Sequence, residues 1–129
     1  MLHDLRFGRF WLIFGWVSVI AAMYLSLVPM TVMELPNWND KVEHCTGYFL
    51  LTFWFCGIYP RQSYWKVGLA MLGMGLLVEI LQGVMKMGRH ADVMDLVADL
   101  VGIVPALLLA LTPIGRWPRW LEALVPRRR

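Results

Sequence analysis

The sequence predicts an all-α protein, an integral membrane four-helix bundle, and three observations carry that prediction. Hydrophobic residues make up 59% of the chain and charged residues only 16%, against about 25% charged in a soluble domain. The apolar residues fall into four runs, each of which reaches or can be extended to the ~20 residues that cross a bilayer. One stretch, Glu79 to Gly102, gathers Glu79, Lys86, Arg89, His90, Asp92, Asp95 and Asp99, and the flanking runs, Val67–Val78 and Leu100–Ile114, reach span length only by taking some of them in. Charges at membrane depth cost about 2.5–3.5 kcal/mol each on insertion scales, so a cluster of them marks a functional site.

The 129 residues are read as a single domain, 1–129. Residues 1–9 form a short polar head with Arg6 and Arg9. Phe10 to Met33 is free of Asp, Glu, Lys, Arg and His, and is read as an uncleaved first span over about 10–30: it is too long for a signal-peptide core and no Ala-x-Ala site follows. Leu35–Asn39 is a loop with Trp38 as an interfacial anchor.

The second span is expected over about 41–59, with Asp40 as its N-cap. At ~100° per residue, Asp40, Lys41, His44 and Tyr48 share an arc of about 100°. Pro60–Tyr64 is a polar turn. The third span, about 66–86, puts Gly75, Glu79, Gln82 and Lys86 within about 60° of arc, and its glycines allow close helix approach. The fourth, about 92–114, aligns Asp92, Asp95, Asp99 and Gly102 within roughly 80°. Beside them Ala98, Gly102, Ala106 and Ala110 form a packing seam, and Pro105 is expected to kink the helix. The tail, 115–129, carries Trp117, Trp120 and Arg127–Arg129 and reads as an interfacial anchor.

Cys45 and Cys56 lie eleven residues apart on one expected helix, roughly 16 Å along its axis, too far to pair within it. They read as free thiols, and no metal-binding cysteine spacing is present. With a net charge of +3 and no basic stripe, nucleic acid is excluded as a partner.

Four spans place the head, the 60–66 turn and the tail on one side, with nine Lys and Arg against three on the other. The positive-inside rule then puts both termini in the cytoplasm of a multi-pass inner-membrane protein. The start of span two, the end of span three and the start of span four meet on the extracytoplasmic side. They are expected to converge on one shallow polar pocket about 10–12 Å across, in which Glu79 meets a cation from Lys41, Lys86 or Arg89.

The pattern Asp40-Lys41-x-x-His44, then Tyr48, Glu79-x-x-Gln82, Arg89-x-x-Asp92-x-x-Asp95 and Gly102, with Ser26-x-x-Pro29 closing span one, resembles the VanZ-like membrane proteins. The resemblance covers roughly residues 10–112. One position departs: Asp99 stands where that family usually has Asn. The family takes its name from an accessory protein of resistance to the glycopeptide teicoplanin. The resemblance implies a cell-envelope location and a link to surface chemistry.

Three readings of the pocket follow. It binds an envelope lipid or lipid-linked cell-surface intermediate, with Lys41, Lys86 and Arg89 on a phosphate or carboxylate. Or it is a metal-assisted hydrolase or transferase acting on a lipid headgroup, the carboxylates holding a hard divalent cation and His44 serving as acid or base. Or it is a structural ion-pair network in a scaffold subunit. The cofactor and any protein partner are unassigned.

Overall fold

The computed structural model describes residues 4–28, 40–85 and 90–126. Among these the chain is all helical: α1 (Gly8–Leu27), α2 (Asp40–Ile58), α3 (Tyr64–Met85), α4 (Val93–Ala110) and the short α5 (Trp117–Ala123), with single 3-10 turns at Arg61–Ser63 and Pro113–Arg116. At 1.5 Å per residue, helices of 18–22 residues are about 27–33 Å long, the thickness of a bilayer's hydrocarbon core.

Among the described residues, three helical segments are long and apolar enough to cross a membrane: Gly8–Leu27, Arg61–Met85 and Val93–Ala110. α1 shows why these sequences suit lipid. It buries only Gly8, Gly15 and Val19, while Phe10, Ile13, Trp16, Val17, Ile20 and Tyr24 are exposed. A helix apolar on every side, with so little of it covered by protein, belongs in an apolar solvent.

α2 falls short of that hydropathy because its first turns carry Lys41, Glu43 and His44. It is nonetheless the most enclosed element, packed against α1, α3 and α4. Tyr48, Leu51, Thr52, Phe55, Cys56 and Ile58 are buried along it. The least apolar of the four long helices therefore sits where the others screen it.

The seam between α2 and α4 is set by small residues. Ala98, Gly102, Ala106 and Ala110 are all buried. A side chain on Gly102 would collide with the Cys45 carbonyl and come within 2.9 Å of the Phe49 nitrogen, so only glycine lets the two backbones come this close. Pro105 lies inside α4. That helix ends at Ala110, because Pro113 disfavours a helical Thr112 before it; the chain turns there, with the Thr112 hydroxyl accepting from the Ile114 N–H.

The α1 start, the Arg61 turn and α5 meet at one end. The Trp117 ring packs on Trp11 and Trp54, with ring centres 5.3 and 4.7 Å apart. The Arg61 guanidinium donates to the Leu111 carbonyl. Glu122 accepts from the Arg6 N–H at 2.8 Å, the Phe7 N–H at 2.9 Å and the Trp11 indole at 2.8 Å. It so satisfies backbone donors at the head of α1 that the helix itself leaves open. Partial burial pushes its carboxyl up, but these bonds outweigh that and hold it below its ordinary 4.5. The tail is thus more than a surface anchor: it clamps the head. Cys45 and Cys56 are both unpaired.

Candidate functional site

The opposite end is built by the α2 start, the α3 end and the α4 start. Asp92 caps α4, its Oδ1 accepting from the Met94 N–H at 2.8 Å. The Asp92 N–H in turn donates to Glu79 Oε2 at 2.8 Å. A carboxylate from α3 thereby satisfies a backbone donor where α4 begins, a place that favours negative charge.

Lys41 bridges two carboxylates of α4, Nζ lying 2.8 Å from Asp92 Oδ2 and 2.9 Å from Asp95 Oδ1. The two halves differ. The Lys41 and Asp92 side chains are nearly half exposed and that of Asp95 only 5%. The outer pair is screened by solvent and contributes little. The inner one neutralises a carboxylate that water scarcely reaches.

One turn deeper, His44 Nδ1 and Asp99 Oδ1 are 2.8 Å apart, both side chains buried. His44 Nε2 lies 4.0 Å from Asp95 Oδ2. The Tyr48 ring stacks on the imidazole at 6.2 Å. Asp99 occupies the space that a side chain on Gly75 would fill, which is why that turn of α3 needs glycine. One ligand atom from each of His44, Glu79 and Asp95 lies within 4.8 Å of the other two.

Lys41, His44, Glu79, Asp92, Asp95 and Asp99 therefore form one connected cluster. Gln82 turns away from it, its amide donating to the Ser26 carbonyl at 2.8 Å and tying down the α1 end. Lys86, Arg89, Trp38, Pro29 and Arg127–Arg129, and the side chain of Asp40, lie outside the described residues. His90 is exposed. Lys41 is directed to Asp92 and Asp95, and Glu79 Oε2 takes the Asp92 N–H; the cations expected from Lys86 and Arg89 lie outside the described residues. The charges draw together, since buried charge is stable only when paired closely.

The open space lies beside the cluster. A groove of about 310 Å³ runs between α1 and α2, with Ser26, Leu25, Glu43, His44, Tyr48 and Leu51 in its wall. Glu79, Asp95 and Asp99 do not line it; His44 links it to them. A larger cavity of about 580 Å³ between α1, α2 and α3 is apolar apart from Tyr59, Ser63 and Lys66. It holds no cluster of titratable groups, so the smaller groove is the candidate site.

Five buried oxygens have no hydrogen-bond partner among the described residues: the Tyr48 and Thr52 hydroxyls, Glu79 Oε1, Gln82 Oε1 and Asp99 Oδ2. Buried polar atoms are nearly always bonded, so those of Tyr48, Glu79 and Asp99 mark a place prepared for a ligand. Helical period alone identifies the residues at this end but not Gly75 as the seat of Asp99, nor Glu122 as the clamp at the other. Compared with protein-family models, curated proteins and solved structures, the chain matches none, so the likeness to VanZ-like proteins rests on the residues that carry it.

Proposed function

We propose that the chain is a four-span, VanZ-like membrane bundle whose outward-facing polar end binds the headgroup of an envelope lipid or lipid-linked cell-surface intermediate. In this reading α2 also crosses the membrane, as the second of four spans and screened by its neighbours, both termini are cytoplasmic, and the protein serves cell-envelope chemistry of the kind that touches glycopeptide resistance.

The observation that carries the reading is the groove between α1 and α2. It is apolar along most of its wall and includes His44 and Tyr48, whose hydroxyl is buried without a partner among the described residues. That combination suits an amphiphile, with an acyl or prenyl chain along the groove and a hydrogen-bonding headgroup beside His44 and Tyr48. The test is a thermal-shift titration of the purified protein with polyprenyl phosphate and with anionic glycerophospholipid. Stabilisation that saturates in the wild type and is lost in Tyr48→Phe supports the proposal. That variant removes an oxygen with no partner to lose, so it keeps the fold. An equal response of both proteins, or none, rejects it.

A second reading, hydrolysis or transfer at the headgroup, is favoured by the His44–Asp99 pair, in which a carboxylate orients an imidazole at the groove wall. Phosphate release from polyprenyl phosphate by the purified protein distinguishes it from binding alone.

A further inference from the structure

Three side chains in the buried cluster share one arrangement. Each commits one polar atom to a neighbour and keeps a second, and one ligand atom from each of the three lies within 4.8 Å of the others. His44 places Nδ1 on Asp99 Oδ1 at 2.8 Å, and its Nε2 lies 4.0 Å from Asp95 Oδ2. Asp95 gives Oδ1 to the Lys41 ammonium at 2.9 Å, leaving Oδ2 toward the imidazole. Glu79 gives Oε2 to the Asp92 N–H at 2.8 Å. Its Oε1 is buried, in a residue only 7% exposed, with no partner among the described residues.

This is how metal ligands are held. A ligating histidine bonds a carboxylate through its other ring nitrogen, and ligating carboxylates are themselves oriented by hydrogen bonds. Ligands about 2.0–2.1 Å from a tetrahedral zinc are roughly 3.3–3.4 Å apart. The His44–Asp95 separation of 4.0 Å, and the span of 4.8 Å for all three, close to that by side-chain adjustments of about 1 Å or less.

We infer that His44, Glu79 and Asp95 form a binding site for a divalent cation of the zinc type, with Asp99, Lys41 and the Asp92 N–H as the groups that orient the ligands. An imidazole with two carboxylates selects a borderline cation over Mg²⁺ and Ca²⁺, which prefer all-oxygen shells. The site does not depend on the headgroup reading, since the ion is measured with no lipid present.

The test uses the full chain in detergent, free of any polyhistidine tag and stripped with chelator. Zn²⁺ is titrated against a chromophoric chelator, and the melting temperature is followed in parallel. The expected result is one equivalent of Zn²⁺ per chain, with a melting temperature that rises with free Zn²⁺ and does not respond to equal Mg²⁺. Asp99→Asn, which touches only the orientation of His44, is expected to weaken Zn²⁺ binding by about 10–100-fold. Glu79→Gln keeps an oxygen for the Asp92 N–H, so the fold is retained while the anionic ligand is lost; its binding falls further than that of Asp99→Asn. Glu122→Gln, at the other end, binds as the wild type does. Failure of the folded wild type to take up Zn²⁺ stoichiometrically overturns the inference. So does uptake that His44→Gln, Glu79→Gln and Asp95→Asn all leave unchanged.

Discussion

The α2–α4 seam should break on the addition of a single methyl group. In Gly102→Ala the new Cβ meets backbone on α2: the Cys45 carbonyl in hard overlap and the Phe49 nitrogen at 2.9 Å. Backbone cannot rotate away, so the helices must separate. Taking the Phe49 contact alone from 2.9 to the 3.4 Å of ordinary van der Waals contact requires 0.5 Å. A gap of that size forfeits about a quarter of the dispersion well at every contact along the seam. Overpacking of this kind costs about 1–3 kcal/mol, and backbone neighbours place Gly102 at the upper end. Ala in place of Gly returns about 1 kcal/mol of helix propensity, leaving a net loss of about 2 kcal/mol, or a melting temperature lower by roughly 6–10 °C. Gly73→Ala is the control, because nothing lies within 4 Å of its Cβ; there only the propensity gain remains, and the shift has the opposite sign. The site should suffer too. His44 adjoins Cys45 and Asp99 is one turn from Gly102, so the same 0.5 Å takes their 2.8 Å bond to about 3.3 Å, past the usual hydrogen-bond range. Differential scanning fluorimetry of the three proteins in one detergent decides the matter. A Gly102→Ala protein melting at or above the wild type refutes the close approach.

Glu79→Ala should lower stability by about 1–3 kcal/mol, since it strands the partly buried Asp92 N–H, whereas Glu79→Gln should cost less than about 1 kcal/mol; equal melting of the two would show that Glu79 does not hold the α4 start. The Glu122 carboxyl is held below its ordinary 4.5, so its stabilisation is complete above that pH and is lost as pH falls through the folded value. Melting temperatures between pH 7 and 3 should therefore decline more steeply for the wild type than for Glu122→Gln, and parallel curves would contradict the clamp. A reporter active only in the cytoplasm, fused after Arg129, should be active if the basic head, turn and tail face inward; activity confined to a periplasmic reporter reverses the orientation.

Local period and hydropathy make much of this protein legible from the chain alone. The apolar runs around α1, α3 and α4 can hardly do otherwise than form helices of bilayer length, because no other backbone satisfies its own hydrogen bonds in lipid. The 3.6-residue repeat likewise places Lys41 beside His44, Glu79 beside Gln82, and Asp92, Asp95 and Asp99 in one row, for rotation along a single helix depends on nothing outside it. What a row of side chains touches is another matter. Lys41 chooses Asp92 and Asp95, and Glu79 the Asp92 N–H, because Gly102 and the alanines of α4 bring α2 to one particular distance and Gly75 leaves room for Asp99 between the helices. Glu122 finds Arg6, Phe7 and Trp11 across more than a hundred residues of chain, a contact with no local signature. The sequence by itself determined which residues are helical and which share a face. Only the tertiary structure decided their partners, because those depend on interhelical distances that the volumes of side chains on both helices set together.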